Sequence, residues 1–128
     1  MADKESTLQG RVVLVTGATS GIGMETARAL TQHGARVVGT GRDQERLGIL
    51  ASEVDLALTM DVTNPGSVEM ALAAIHDRYG HVDVLVNNAG IGCFLDWSES
   101  TTADLERILA VNLVGAIRVA NGVLPGMV

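Results

Sequence analysis

Three glycines in Thr16-Gly17-Ala18-Thr19-Ser20-Gly21-Ile22-Gly23 follow an apolar run and precede a stretch of helical spacing. Residues without a Cβ allow a tight turn and let backbone amides approach a pyrophosphate. The helix start adds free N–H groups and a partial positive charge. The spacing is G-x-x-x-G-x-G, not the G-x-G-x-x-G of the dinucleotide fingerprint, and a glycine turn of this kind also occurs without a ligand. Arg42 is the next candidate, since a planar, permanently charged guanidinium matches a phosphate; otherwise it is a solvated residue before a helix. His33, His76 and His81 lack metal-ligand spacing, so no metal is expected. Asp96, Glu99, Asp104 and Glu106 read as a solvated acidic helix entrance, not paired catalytic acids. Cys93 is expected to be a buried thiol. Phe94 and Trp97 are expected to pack, although either could line a substrate mouth.

The elements that must position these groups follow from periodicity. Residues 1–10 form a short polar lead-in. Arg11 to Thr16 is a β-branched run that reads as a strand buried on both faces. A helix follows over 22–33, with Ile22, Ala27, Ala29 and Leu30 at helical spacing and Gly34 as its stop. A second strand covers 35–40, and Asp43 opens a short helix to about Ser52. Leu56 to Met60 is a third strand. Asn64 and Pro65 begin a helix that ends at Tyr79 and Gly80. Val82 to Asn87 is a fourth strand, and Thr101 or Thr102 caps a long helix through about Gly122. Four β-α units argue for an α/β fold, a doubly wound parallel sheet within one domain over residues 1–128.

Composition excludes several classes. The chain is 47% apolar and only 2% aromatic, so disorder is not expected and the core must be aliphatic. A net charge of −6, with no dense basic patch, argues against a nucleic-acid partner. The lone cysteine suits a reducing compartment. The polar, acid-bearing start resembles no signal peptide, and no apolar run is expected to reach membrane-span length. A cytoplasmic protein without a membrane partner is expected.

The glycine loop, together with Asp61-Val62, Asn87-Asn88-Ala89-Gly90 and Val111-Asn112-Leu113, resembles the short-chain dehydrogenase/reductase family in order and spacing across nearly the whole chain. The resemblance implies a Rossmann-type sheet of order 3-2-1-4. It implies cofactor contacts from Gly17, Thr19, Ser20, Gly21, Ile22 and Gly23 in the loop, from Arg42, from Asp61 and Val62 at the adenine, and from Asn88, Ala89 and Gly90. It gives Asn112 a place in the catalytic set, where it holds a water relay by distorting its helix. An acid at the end of the second strand would hydrogen-bond the ribose 2′-OH of NAD. The family's acid position falls on Gly41, with Arg42 next, so NADP(H) is the expected cofactor.

The implied activity is NADP-dependent interconversion of a carbonyl and a secondary alcohol, with a small-molecule substrate and a homo-oligomer built through the fourth helix. The family's Ser and Tyr-x-x-x-Lys are absent. The only Tyr is Tyr79, followed four residues later by Asp83, and the only Lys is Lys4; Ser98 and Ser100 are not at the serine position. The pattern reads as truncated after the fourth helix and inactive alone. The alternative is a non-catalytic nucleotide-binding or subunit-interaction module. A fourth strand left at the sheet edge, with Val84-Leu85-Val86 and the single charge Asp83, would favour self-association.

Overall fold

A computed structural model describes residues 7–128; the first six residues of the lead-in, Lys4 among them, lie outside the described residues. The elements are β1 (Val12–Val15), α1 (Gly21–Gln32), β2 (Arg36–Gly41), α2 (Gln44–Ala51), β3 (Leu56–Thr59), α3 (Pro65–Tyr79), β4 (Val84–Val86) and α4 (Thr102–Leu109). A π-helical segment (Ala110–Gly115) follows and runs into α5 (Ala116–Met127). The sheet is parallel with order β3-β2-β1-β4, as the motif order implied. β1 is central, with Leu14 opposite both Val38 and Leu85. Alternation along β1 sends Val12 and Leu14 to the face covered by α3 and α5, and Val13 and Val15 to the face covered by α1 and α2.

Several boundaries differ from expectation. β4 is limited to Val84–Val86; just before it Asp83 N still donates to Val12 O at 2.9 Å, and just after it Asn87 donates Nδ2 to Ala116 O at 2.8 Å. The long helix continues past Gly122 to Met127, with Pro125 inside its last turn. It is not α-helical throughout, since 110–115 is a π segment. The run 102–127 also corrects the expectation about apolar length. It spans 26 residues and contains an 18-residue window of mean hydropathy 1.6. The same run carries Asp104, Glu106, Arg107 and Arg118 and seats Val111, Val119 and Val123 in the core.

Three further expectations are corrected. Asp104 does more than face water: its carboxylate accepts from Thr101 N at 2.9 Å while Thr101 Oγ1 accepts from Asp104 N, a capping box on α4. Phe94 and Trp97 do not pack; they are 101% and 80% exposed on the loop after β4. Cys93 is only half-buried.

Asp83, immediately before the edge strand, clips that strand to the sheet centre. Its Oδ2 accepts from Val12 N at 2.8 Å, and its Oδ1 lies 2.8 Å from His81 Nε2 and 3.8 Å from Arg11. The Val12 N–H first, then His81 and Arg11, hold its carboxyl below the usual range. Because the folded value is depressed, the stabilisation is complete above the unfolded value of about 3.9 and is lost as pH falls through the folded one. Asp83→Asn should therefore lower the melting temperature near neutrality, with the gap to the parent closing as pH drops below about 4. Thermal melts across that range check this, and a gap indifferent to pH would refute it.

Candidate functional site

In a doubly wound sheet the ligand crevice lies beyond the carboxyl ends of the strands, where strand order reverses. Here that point is the gap between β1 and β4, and the described residues form a cleft there. The loop after β1 contributes Gly17, Thr19 and Ser20; the end of β2 contributes Gly41 with Arg42 next; the segment after β3 contributes Asp61 and Val62; the segment after β4 contributes Asn88, Ala89 and Gly90. Nine of the twelve residues assigned to the cofactor thus border one cavity, whereas Gly21, Ile22 and Gly23 do not. Ile22 is 80% exposed, so it is not part of a buried helical stripe as its spacing suggested; α1 buries Gly23 and Ala27 instead.

The loop is built so that backbone meets backbone. Gly17 has φ +63, and a Cβ there would lie 2.9 Å from Ala89 Cα. A Cβ on Gly23 would fall on the Gly17 carbonyl oxygen and Asn88 Nδ2. Asn88 Nδ2 also donates to Thr16 O at 3.2 Å and Gly17 O at 3.1 Å, tying the loop to β4.

Sequence reasoning missed Thr16. Its fully buried hydroxyl oxygen accepts from both Asn88 N and Ala89 N at 3.0 Å. One side chain therefore joins the glycine loop to the Asn88–Gly90 wall. Its only sequence signal was its place as the last residue before Gly17.

The N-terminus of α1 is left open. Asp43 caps α2 by accepting from Glu45 N and Arg46 N, Asn64 caps α3 by accepting from Ser67 N, and Thr101 caps α4. Ser20 makes no side-chain cap bond, and the first turn of α1 holds no acid. Unsatisfied amides at a helix start attract an anion, and these adjoin the cleft through Ser20. The residues present fit a dinucleotide's pyrophosphate in this cradle.

At the end of β2, a Cβ on Gly41 would meet the Thr19 side chain, leaving no room for an acid without moving Thr19. Arg42 beside it is exposed. On the same side, after the neighbouring strand β3, the Asp61 carboxylate accepts from Thr63 Oγ1 at 2.7 Å and Thr63 N at 3.0 Å. Those bonds, and more weakly the charges of Arg42 and Arg118, hold its carboxyl below the usual range, so it is ionised at neutral pH.

Asn112 sits in the π segment, outside the cleft lining. Its Oδ1 accepts from Ile91 N and its Nδ2 donates to Ile91 O, both at 2.8 Å. It thereby fixes the chain just after Gly90. Tyr79 ends α3 and packs on the core, away from these groups.

Comparison with known proteins agrees with this geometry. The short chain dehydrogenase family matches residues 11–128. The NADP-dependent 3-hydroxy acid dehydrogenase of Salmonella typhi is 39% identical over 121 residues, covering 91% of this chain and 49% of that protein. L-Sorbose reductase from Gluconobacter frateurii, complexed with NADPH and L-sorbose, superposes with a TM-score of 0.90 at 30% identity, over 97% of this chain and 50% of that one. The 3-ketoacyl-(acyl-carrier-protein) reductase of Brucella melitensis, complexed with NADH, gives 0.88 at 34% identity, over 93% and 51%. The chain spans about half the length of the curated relatives it matches.

Proposed function

The chain belongs to the short-chain dehydrogenase/reductase family, and on that premise we propose that it is the cofactor-binding part of an NADP-dependent oxidoreductase interconverting a carbonyl and a secondary alcohol. The observation that carries the NADP preference is the end of β2, where Gly41 leaves no acid and Arg42 offers a guanidinium at the cleft. The nicotinamide, when bound, supplies or accepts the hydride. This chain's own residues bind and orient. The open start of α1 receives the pyrophosphate, Arg42 the 2′-phosphate, and Asp61 and Val62 the adenine. Asn88 to Gly90 form the opposite wall, with Asn112 holding Ile91 behind it. Within the 128 residues no Tyr-x-x-x-Lys exists to handle the substrate proton.

Isothermal titration with this chain tests the reading. Adenosine 2′,5′-bisphosphate should bind within about threefold of NADP, because the contacts lie on the adenosine side, and NAD should bind at least about tenfold more weakly. NADPH with a carbonyl compound should show no turnover. Much tighter binding of intact NADP, or equal binding of NAD, would sink the assignment.

The second reading, a non-catalytic nucleotide-binding or subunit-interaction module, is favoured by one feature. Leu105, Leu109, Leu113 and Ile117 form an exposed stripe along α4, the π segment and α5. That stripe also supports a homo-oligomer in either reading, and a strictly monomeric chain in light scattering during the same titrations would argue against it. The lone thiol of Cys93 supports a cytoplasmic location, which fractionation of source cells checks.

A further inference from the structure

The adenine side of the cleft stands on a loop, and that loop is held from two directions. From α3, Ser67 Oγ accepts from Asp61 N at 2.9 Å. From the other side, Arg118 on α5 donates Nη1 to Val62 O at 2.5 Å, a contact spanning 56 residues. Arg118 is half-buried, and a long charged side chain placed so is ordinarily turned to water or to a carboxylate. Here its hydrogen bond goes to a main-chain carbonyl in the cleft wall. Gly115, one helical turn earlier, faces the same residue: a Cβ there would lie 2.6 Å from Val62 Cγ2. Val62 is 7% exposed, so it has nowhere to retreat.

We propose that Arg118 is a positioning residue for the cofactor, fixing the Val62 carbonyl so that the Asp61-Val62 segment meets the adenine in one conformation. The proposal rests on the nucleotide-binding reading above and adds a residue to it. A charged donor on a single carbonyl resists rotation of that peptide more strongly than a neutral one. Gly115 lets the helix come close enough for the bond to form. Arg118 also puts positive charge near Asp61, which favours the ionised carboxylate as an acceptor for an exocyclic amine.

The test compares Arg118→Met and Arg118→Lys with the parent chain, using two ligands. Adenosine 2′,5′-bisphosphate reports the adenine wall. Inorganic pyrophosphate, followed by the amide resonances of Ser20 to Gly23, reports only the helix start. Arg118→Met should weaken the bisphosphate by about tenfold and leave pyrophosphate unchanged, with Arg118→Lys recovering most of the loss. Equal weakening of both ligands would mean general loosening, and bisphosphate affinity within about twofold of the parent would mean no role; either overturns the proposal. If Arg118→Met fails to fold, Gly115→Ala displaces the same Val62 with Arg118 intact and is judged by the same two ligands. A parent chain that binds neither ligand would instead refute the nucleotide-binding reading, and this proposal with it.

Discussion

Gly23→Ala is expected to abolish nucleotide binding. Its new methyl would occupy the space of the Gly17 carbonyl oxygen and of Asn88 Nδ2. Neither can step aside easily. Gly17 is fixed at φ +63 against Ala89, and Asn88 Nδ2 already serves two carbonyls. Relief requires the loop to lift from β4, which removes the amides from the place proposed for the pyrophosphate. Overpacking of this kind costs about 1–3 kcal/mol in stability, so the variant should fold less stably while binding falls about a hundredfold or more. Gly48→Ala is the control: nothing lies within 4 Å of a Cβ there, and α2 should gain about 0.5–1 kcal/mol. Titration and melting of both variants decide the matter. A Gly23→Ala chain that binds adenosine 2′,5′-bisphosphate like the parent would show that the close approach plays no part in recognition.

The second large effect concerns cofactor choice. Arg42→Ala removes the guanidinium at the end of β2 without touching the packed core, since the residue is exposed. Charge-assisted bonds to a phosphate contribute about 1.5–3 kcal/mol, so NADP should lose about ten- to a hundredfold in affinity. NAD, lacking the 2′-phosphate, should hardly change, and the NADP advantage should also shrink as salt is raised in the parent chain. An unchanged NADPH-to-NADH affinity ratio in Arg42→Ala would remove Arg42 from the assignment and leave the preference without a carrier.

Much of this architecture was legible because its signals are local. Val12 to Val15 is a β-branched run in a strand buried on both faces, and Asp43 and Asn64 sit where cap chemistry predicts. The glycine loop was legible for the same reason. What escaped the sequence depends on partners far along the chain. Thr16 looks like any strand residue until Asn88 and Ala89, 72 and 73 residues away, converge on its hydroxyl. Arg118 reads as a solvated helix charge until Val62 is beside it. The resemblance implied a helix distorted at Asn112, and the π segment Ala110 to Gly115 holds that residue; the form of the distortion escaped because the segment has helical composition. Phe94 and Trp97 were misjudged by residue type: large apolar side chains usually pack, and the loop after β4 gives these two nothing to pack on.

The π segment has a consequence for how the sequence can change. A π turn holds one residue more than an α turn, so this stretch absorbs an extra residue while α4 and α5 keep nearly the phase of one continuous helix. Losing a single codon between Ala110 and Gly115 would restore an unbroken α-helix and leave the capping box at Thr101 facing much as before relative to Val119 and Val123. The damage would be local: Asn112 would be carried off Ile91, whose N–H and carbonyl it holds. A one-residue deletion there would therefore spare the packing of the helix and fall on the chain that follows Gly90.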